Sequence, residues 1–333
     1  MRTHIVAQVG CGLVRPSALA LGLVLLVATA TSAAVVTITD CVNDPHIVST
    51  ENVSIDVGTD DLVLRCNLER TGSNSRIIIR AANMEIDGNI VSGIRTKTID
   101  IKATGKLVVD GVEIAARAGS GGVKIAAGGD IIFDNAAVSA GTDDQDGRFV
   151  SVACTGKQPV PCTITARQSS FSGARAIDVL GAGDIYFVGT KVTSSSPRDR
   201  ITVVTEGGDA IMRGCGNLFQ GGSEGSLDLT ACGLIDLAFA KVLVSRNITI
   251  TSGTCEGKPA NIRLNGATVR NDSGQKGEIV VVATGGQEIN ISGATIIDDN
   301  QRTKVNDVAR LNGREAVPHE GFNNVVGTPD ADD

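Results

Sequence analysis

The chain has 333 residues, a formal net charge of −7 and both signs of charge mixed along its length. That balance excludes the basic footprint of a nucleic-acid-binding protein, so no nucleic-acid partner is expected. With 40 Gly, no Trp, one Tyr (Tyr186) and seven Phe, a large core must be built from Ile, Val, Leu and Ala. Such side chains suit pleated, thin, stacked interiors.

Residues 1–34 read as a secretory signal. Arg2 and Arg15 supply positive charge, Ser17 to Ala30 is an apolar run, and the small residues Thr31, Ser32, Ala33 and Ala34 follow. The run falls short of the roughly 20 residues of a comfortable span, and a cleavage region follows it. No membrane span is therefore expected in the mature chain, and its expected location is extracellular or cell-surface. Export permits disulfides. Cys11 leaves with the signal and seven Cys remain, which keeps at least one thiol outside intramolecular pairs. The absence of a C-x-x-C pair argues against a zinc ribbon or a thioredoxin-type site, and no metal or cofactor is expected.

Residues 35–52 read as an amino-terminal cap, opened by Val35 to Asp40. A repeat then begins. Short β-type segments start near Val53, Ile77, Ile99, Val123, Val150, Ile177, Ile201, Leu227, Ile248 and Ile279, a mean step of about 25 residues. Each opens with apolar alternation, as in Ile99-Asp-Ile101-Lys-Ala103, the mark of a strand with one buried face. The second half of each unit has a fixed spacing. Leu107-Val109-Gly111-Ile114, Ile131-Phe133-Asn135-Val138, Ile185-Phe187-Gly189-Val192, Ile262-Leu264-Gly266-Val269 and Ile289-Ile291-Gly293-Ile296 share it, and Met84-Ile86-Gly88-Val91 is read the same way. Gly or Asn falls where the chain bends, because these residues tolerate left-handed backbone angles. One coil cannot bury its own apolar face, but stacked coils can. The pattern predicts an all-β fold, a right-handed parallel β-helix (solenoid) of about ten coils over residues 53–300. A sandwich would show hairpin turns every 8–12 residues or so instead.

These coils resemble the right-handed parallel β-helix superfamily, which includes pectin-lyase-like enzymes and filamentous-haemagglutinin-like adhesins. The resemblance covers about Val53 to Asn300. It implies a fold and leaves the chemistry open.

Residues 301–333 lose the periodicity and read as a polar carboxy-terminal cap or tail. Two insertions enter between first and second strands, at Cys154 to Cys162 and at Thr254 to Ala260. Cys154 and Cys162 would close a small loop, Cys41 and Cys66 would pin the cap to the first coil, and Cys232 and Cys255 would join neighbouring coils. Cys215 is left alone, expected beneath a bend.

Function in a filled solenoid must sit on outward loops. The loops after the third strand carry Arg95, Lys97, Arg117, Asp143, Asp144, Asp146, Arg148, Arg175, Arg198, Asp199, Arg200, Arg246, Asp272 and Lys276. Arg175, Arg198 and Arg200 are the candidates for binding an anionic sugar. A polysaccharide lyase would use such an edge, with acidic residues holding calcium and an Arg or Lys taking a proton. Charged turns that keep a β-rich surface soluble would look the same. Asp143-Asp144-Gln145-Asp146-Gly147 lacks the full ligand set of a calcium loop.

The polygalacturonase pattern of clustered Asp with Gly-His-Gly and Arg-Ile-Lys is not met. Asp60-Asp61, Asp143-Asp144 and Asp298-Asp299 have no His nearby, and His46 and His319 lie outside the coils. One Tyr and no Trp argue against an extended neutral-sugar cleft. Asn52, Asn247, Asn271 and Asn290 open glycosylation-type triplets. The expected function is a secreted or cell-surface non-catalytic β-helix, adhesin-like or structural, that presents loops to extracellular polysaccharide or another surface protein. The alternative is a polysaccharide lyase-type enzyme acting on a charged glycan.

Overall fold

The structure, a computed structural model, describes residues 33–43, 48–49, 53–70, 76–92, 98–117, 121–141, 148–156, 161–253, 255, 258–271 and 277–298, and strands at 303–311, 314–315, 320–322 and 325–326. Residues 1–32 of the expected signal, Arg95, Lys97, Asp143, Asp144, Asp146, Asp272, Lys276, Asn52, His46 and His319 lie outside the described residues.

The described chain is a parallel β-solenoid with three sheets, here called A, B and C in the order a coil visits them. Sheet A strands are mostly six residues long, as in Arg76–Ala81, Thr98–Ala103 and Ala176–Gly181. Those of sheets B and C are mostly three or four, as in Leu107–Asp110 and Glu113–Ala116. Alternation does its expected work: in Thr98–Ala103, Ile99, Ile101 and Ala103 point inward while Lys102 is exposed.

Like stacks on like. Val53, Ile77, Ile99, Val123, Val150, Ile177, Ile201, Leu227, Ile248 and Ile279 form one inward row of sheet A, each paired in register with the next. These are the ten expected starts, with nine turns between them. Sheet C carries a matching row from Leu68 through Ile90 and Ile114 to Ile296. In the second coil the inward residue is Ile90 rather than the expected Val91. The B–C bend there is one residue shorter than at Val109 to Ile114, which moves the register by one, and a shift of one residue changes the face.

The backbone is left-handed at the expected bend residues Gly111, Asn135, Gly189, Gly266 and Gly293, with φ from 48° to 65°. Gln168 (φ 48°) and Phe239 (φ 60°) hold the equivalent position in other coils without the ease of a glycine. The core is mainly aliphatic, as composition demands. Phe133, Phe171, Phe187 and Phe219 nevertheless form one interior column, with successive ring centroids 5.1, 5.9 and 6.2 Å apart. They fill the middle coils, where buried Ala166 and Ala210 leave room.

Both ends carry additional strands. Val35–Ile38 extends sheet B in parallel against Asp61–Leu64, and Val48–Ser49 pairs antiparallel with Val53–Asp56. The cap is tied down by the Cys41–Cys66 disulfide (Cα–Cα 5.6 Å). Asp40 accepts bonds from the Val42 and Asn43 backbone N–H groups and the Asn43 amide. At the far end Thr303–Leu311 continues in parallel beyond Ile279–Asn290. Antiparallel strands at Arg314–Glu315, Glu320–Phe322 and Val325–Val326 then close the stack. The segment beyond residue 300, read from sequence as a polar cap or tail, is thus built in part from strands.

Candidate functional site

Three surfaces bear chemistry-capable side chains. The first is the C–A edge, where Arg175 falls in one coil and Arg198 and Arg200 in the next. Arg200 opens the sheet A strand Arg200–Thr205, and its backbone N–H bonds to the Arg175 carbonyl. The arginines share an edge, but Arg198 and Arg200 face carboxylates. The Arg200 guanidinium lies 3.4 Å from Asp178. Arg198 and Arg246 hold Glu224 from two sides at 3.1 and 3.0 Å. With the Arg198 side chain 80 % exposed, these are solvent-screened pairs of small energy. Between them Asp199 is buried. Burial pushes its carboxyl above the ordinary range, opposed by the Ser194 hydroxyl and the Gly222 backbone N–H.

The second surface is the A–B edge, which the sequence presented only as scattered Asp pairs. Its carboxylates and amides form a ladder, each capping a backbone N–H of the next coil. Asp61 Oδ1 accepts from Asn83 N (3.1 Å) and Nδ2 (2.8 Å), and Asn83 Oδ1 accepts from Lys106 N (2.8 Å). Asp130 accepts from Thr163, Asp184 from Asp209 N and Asp209 from Leu234 N, all at 2.8 Å. Turn donors at this edge lack a strand partner, so a side-chain oxygen one coil back satisfies them. The ladder needs backbones in close contact: a Cβ on Gly208 would meet the Gly183 carbonyl carbon at 2.4 Å. Asp60 also belongs here, accepting from Ala34 N at 3.1 Å. Tyr186 donates its hydroxyl to Asp184 Oδ2 at 2.7 Å. That bond, with burial and the charges of Asp184 and Asp209, raises the phenol to about 12.

Both inserted loops lie on this edge, closed by disulfides at Cys154–Cys162 (Cα–Cα 6.0 Å) and Cys232–Cys255 (Cα–Cα 4.9 Å). Cys215 carries a free thiol, and it is exposed rather than sheltered under a bend. It stands in the Gly214-Cys215-Gly216 turn, which projects outward while Asn217 takes the interior place. Among the described residues, no three His, Cys, Asp or Glu side chains converge into a metal-binding group. Asn271 is fully buried, which closes that glycosylation triplet in the folded chain.

The third surface, the outer face of sheet B, was missed by the sequence reading. Asp236 points outward in its strand, yet it is 1 % exposed. The guanidinium of Arg213 from the preceding coil bonds to its Oδ2, Arg263 from the following coil lies 3.8 Å away, and Ala238 N donates to Oδ1 at 3.1 Å. Beside this cluster a cleft of about 340 Å³ is lined by Asn261, Ile262, Arg263, Asn265, Glu288 and Asn290. A depression of about 520 Å³ lies at the amino-terminal end of the same face, between Val35, Val63, Met84 and Val108. The signal for the polar cleft was weak but present: Arg263 and Asn290 fall at the outward row where earlier coils carry apolar residues such as Val108 and Ile132.

No family model, curated protein or solved structure matches the chain. The assignment to a parallel β-solenoid rests on the strand pairing itself.

Proposed function

We propose that the protein is a secreted or cell-surface, non-catalytic β-helix of the right-handed, pectin-lyase-like type, adhesin-like or structural. Its outward loops present a surface to extracellular polysaccharide or to another surface protein. The supporting observation is how the polar groups are employed. The Asp residues of the A–B edge cap backbone donors of the next coil, and Arg198 and Arg200 of the C–A edge sit in carboxylate pairs. Groups that serve the stack in this way are not poised as a general acid and base, which need a reacting atom within hydrogen-bond reach. The three disulfides, and the absence among the described residues of a helix long and apolar enough to cross a membrane, are compatible with an extracellular setting.

The test is an unsaturated-product absorbance assay on pectate, alginate and glycosaminoglycans with calcium present. No product is expected. Cleavage that disappears in the Arg198→Ala, Arg200→Ala double variant would replace this reading with a polysaccharide lyase working at the C–A edge.

A further inference from the structure

We propose that the outer face of sheet B, over the coils that carry Asp236, Arg263 and Asn290, is a binding site for a short neutral saccharide. The inference deepens the proposed function by naming a ligand class, and it places the site away from the arginine-bearing C–A edge. The first ground is the chemistry of the cleft. Asn261 Oδ1 is engaged by Glu288 N, and Asn265 Nδ2 by Asn290 Oδ1, which also accepts from Ser292 N. Among the described residues, Nδ2 of Asn261, Nδ2 of Asn290, Oδ1 of Asn265 and the Glu288 carboxylate have no protein partner. The cleft therefore offers both donors and acceptors. A hydroxyl both donates and accepts, so a ligand with neighbouring hydroxyls can satisfy such a rim. Arg213 and Arg263 balance Asp236 and Glu288, which favours a neutral ligand over a charged one. The volume lies at the low end of small-molecule sites, which fits one or two sugar units.

The second ground is rigidity. Arg263 is drawn over a buried carboxylate, and the two asparagines orient one another. The loop along the A–B side is held by the Cys232–Cys255 disulfide and by Lys258, whose ammonium bonds to the Gly207 carbonyl. Groups fixed before binding lose less entropy when a ligand arrives.

The third ground is Phe239, on the opposite side. Its backbone N–H bonds to the Asn265 carbonyl at 2.9 Å, its ring stands against Gly266, and it is 56 % exposed. It occupies a left-handed bend (φ 60°) that several other coils give to glycine. A side chain with a Cβ is strained there. Strain kept at an exposed aromatic is what a position retained for contact with a ligand would show. An apolar ring face beside a hydroxyl-reading rim matches the two faces of a sugar. The ring borders the cleft through Asn265 and Gly266 rather than lining it.

The experiment is calorimetric titration of the full mature chain, disulfides intact, with short neutral oligosaccharides and matching uronate oligosaccharides. Each is tried free and coupled to a carrier protein. At least one neutral saccharide should bind in the submillimolar to millimolar range. Phe239→Gly, which places glycine where the backbone favours it, should weaken binding tenfold or more without unfolding the chain. Glu288→Gln should weaken it several-fold, and Arg198→Ala, Arg200→Ala should leave it unchanged. The tighter of the free and coupled forms tells a polysaccharide source from a glycoprotein one, and binding of either supports the site. Failure of every neutral saccharide, or binding indifferent to Phe239→Gly and Glu288→Gln, overturns it. Binding of uronates alone, lost in the double arginine variant, also overturns it while leaving the non-catalytic reading intact.

Discussion

Tyr186 offers an optical reading of the A–B edge, because the chain has one Tyr and no Trp. The perturbation is Asp184→Asn. In the folded protein the phenol donates to Asp184 Oδ2 at 2.7 Å and is pushed up from 10.0 to about 12. Near pH 11 a group of that strength is roughly one-tenth ionised, whereas one with the ordinary value is roughly nine-tenths ionised. The substituted amide would keep an oxygen for the Asp209 N–H but lose the charge that favours the protonated phenol. Titration of the phenolate absorbance should therefore rise well above pH 10 in the native protein and return toward 10 in the variant and in denaturant. The folded value is raised, so the stability it confers is complete below about pH 10 and lost as the pH climbs toward about 12. The urea midpoint of the native protein should fall through that window more than that of the variant. Coincident titrations of the two proteins would show that the Tyr186–Asp184 bond is not made, and the account of this edge would fail with it.

Asp209→Ala leaves the Leu234 N–H without its acceptor and should cost about 1–2 kcal/mol in urea unfolding, while Asp209→Asn should stay within about 0.5 kcal/mol. Equal losses would assign the role to charge instead. Phe187→Ala opens the middle of the aromatic column and should cost about 3–5 kcal/mol; a loss below 1 kcal/mol or so would mean the column is not tightly packed. The Asp199 carboxyl is raised by burial, so its stabilisation is present below its unfolded value and lost as pH rises through the folded one. Asp199→Asn should accordingly be more stable than the native protein at neutral pH and converge with it in acid, and a constant offset would contradict this. Alkylation of the native mature protein should label Cys215, and labelling of any disulfide-bonded cysteine would contradict the pairing.

The coils were legible because each repeats the same demand. Apolar residues two apart build an inward row, and a bend residue three positions before the next inward residue sets the corner. The one register error, Val91 for Ile90, came from a bend that is shorter by a residue and has no glycine at a positive φ to flag it. Two of the cysteine pairs could be placed because the insertions fell at matching points of the coils, and Cys41–Cys66 because the cap leads straight into the first coil. The A–B ladder could not be read, since Asp130, Asp184 and Asp209 find their partners only once coils are stacked in register. The sheet B cleft was hidden for the same reason. Arg213, Asp236 and Arg263 are 23 and 27 residues apart in sequence, and each alone resembles any outward strand residue. Phe239 was obscured differently: an aromatic at a glycine position reads as a break in the pattern.

The antiparallel strands at the two ends bear on how copies of this molecule meet. A parallel edge offers evenly spaced, slanted donors and acceptors, whereas an antiparallel edge alternates close and wide pairs. Val48–Ser49 at one end and the reversed strands after Leu311 at the other change that rhythm. A neighbour arriving end-on at sheet A finds a hydrogen-bond spacing its own coils do not match, whereas Val35–Ile38 leaves sheet B a parallel outer edge. On sheet A the reversed strands therefore work against head-to-tail fibre growth.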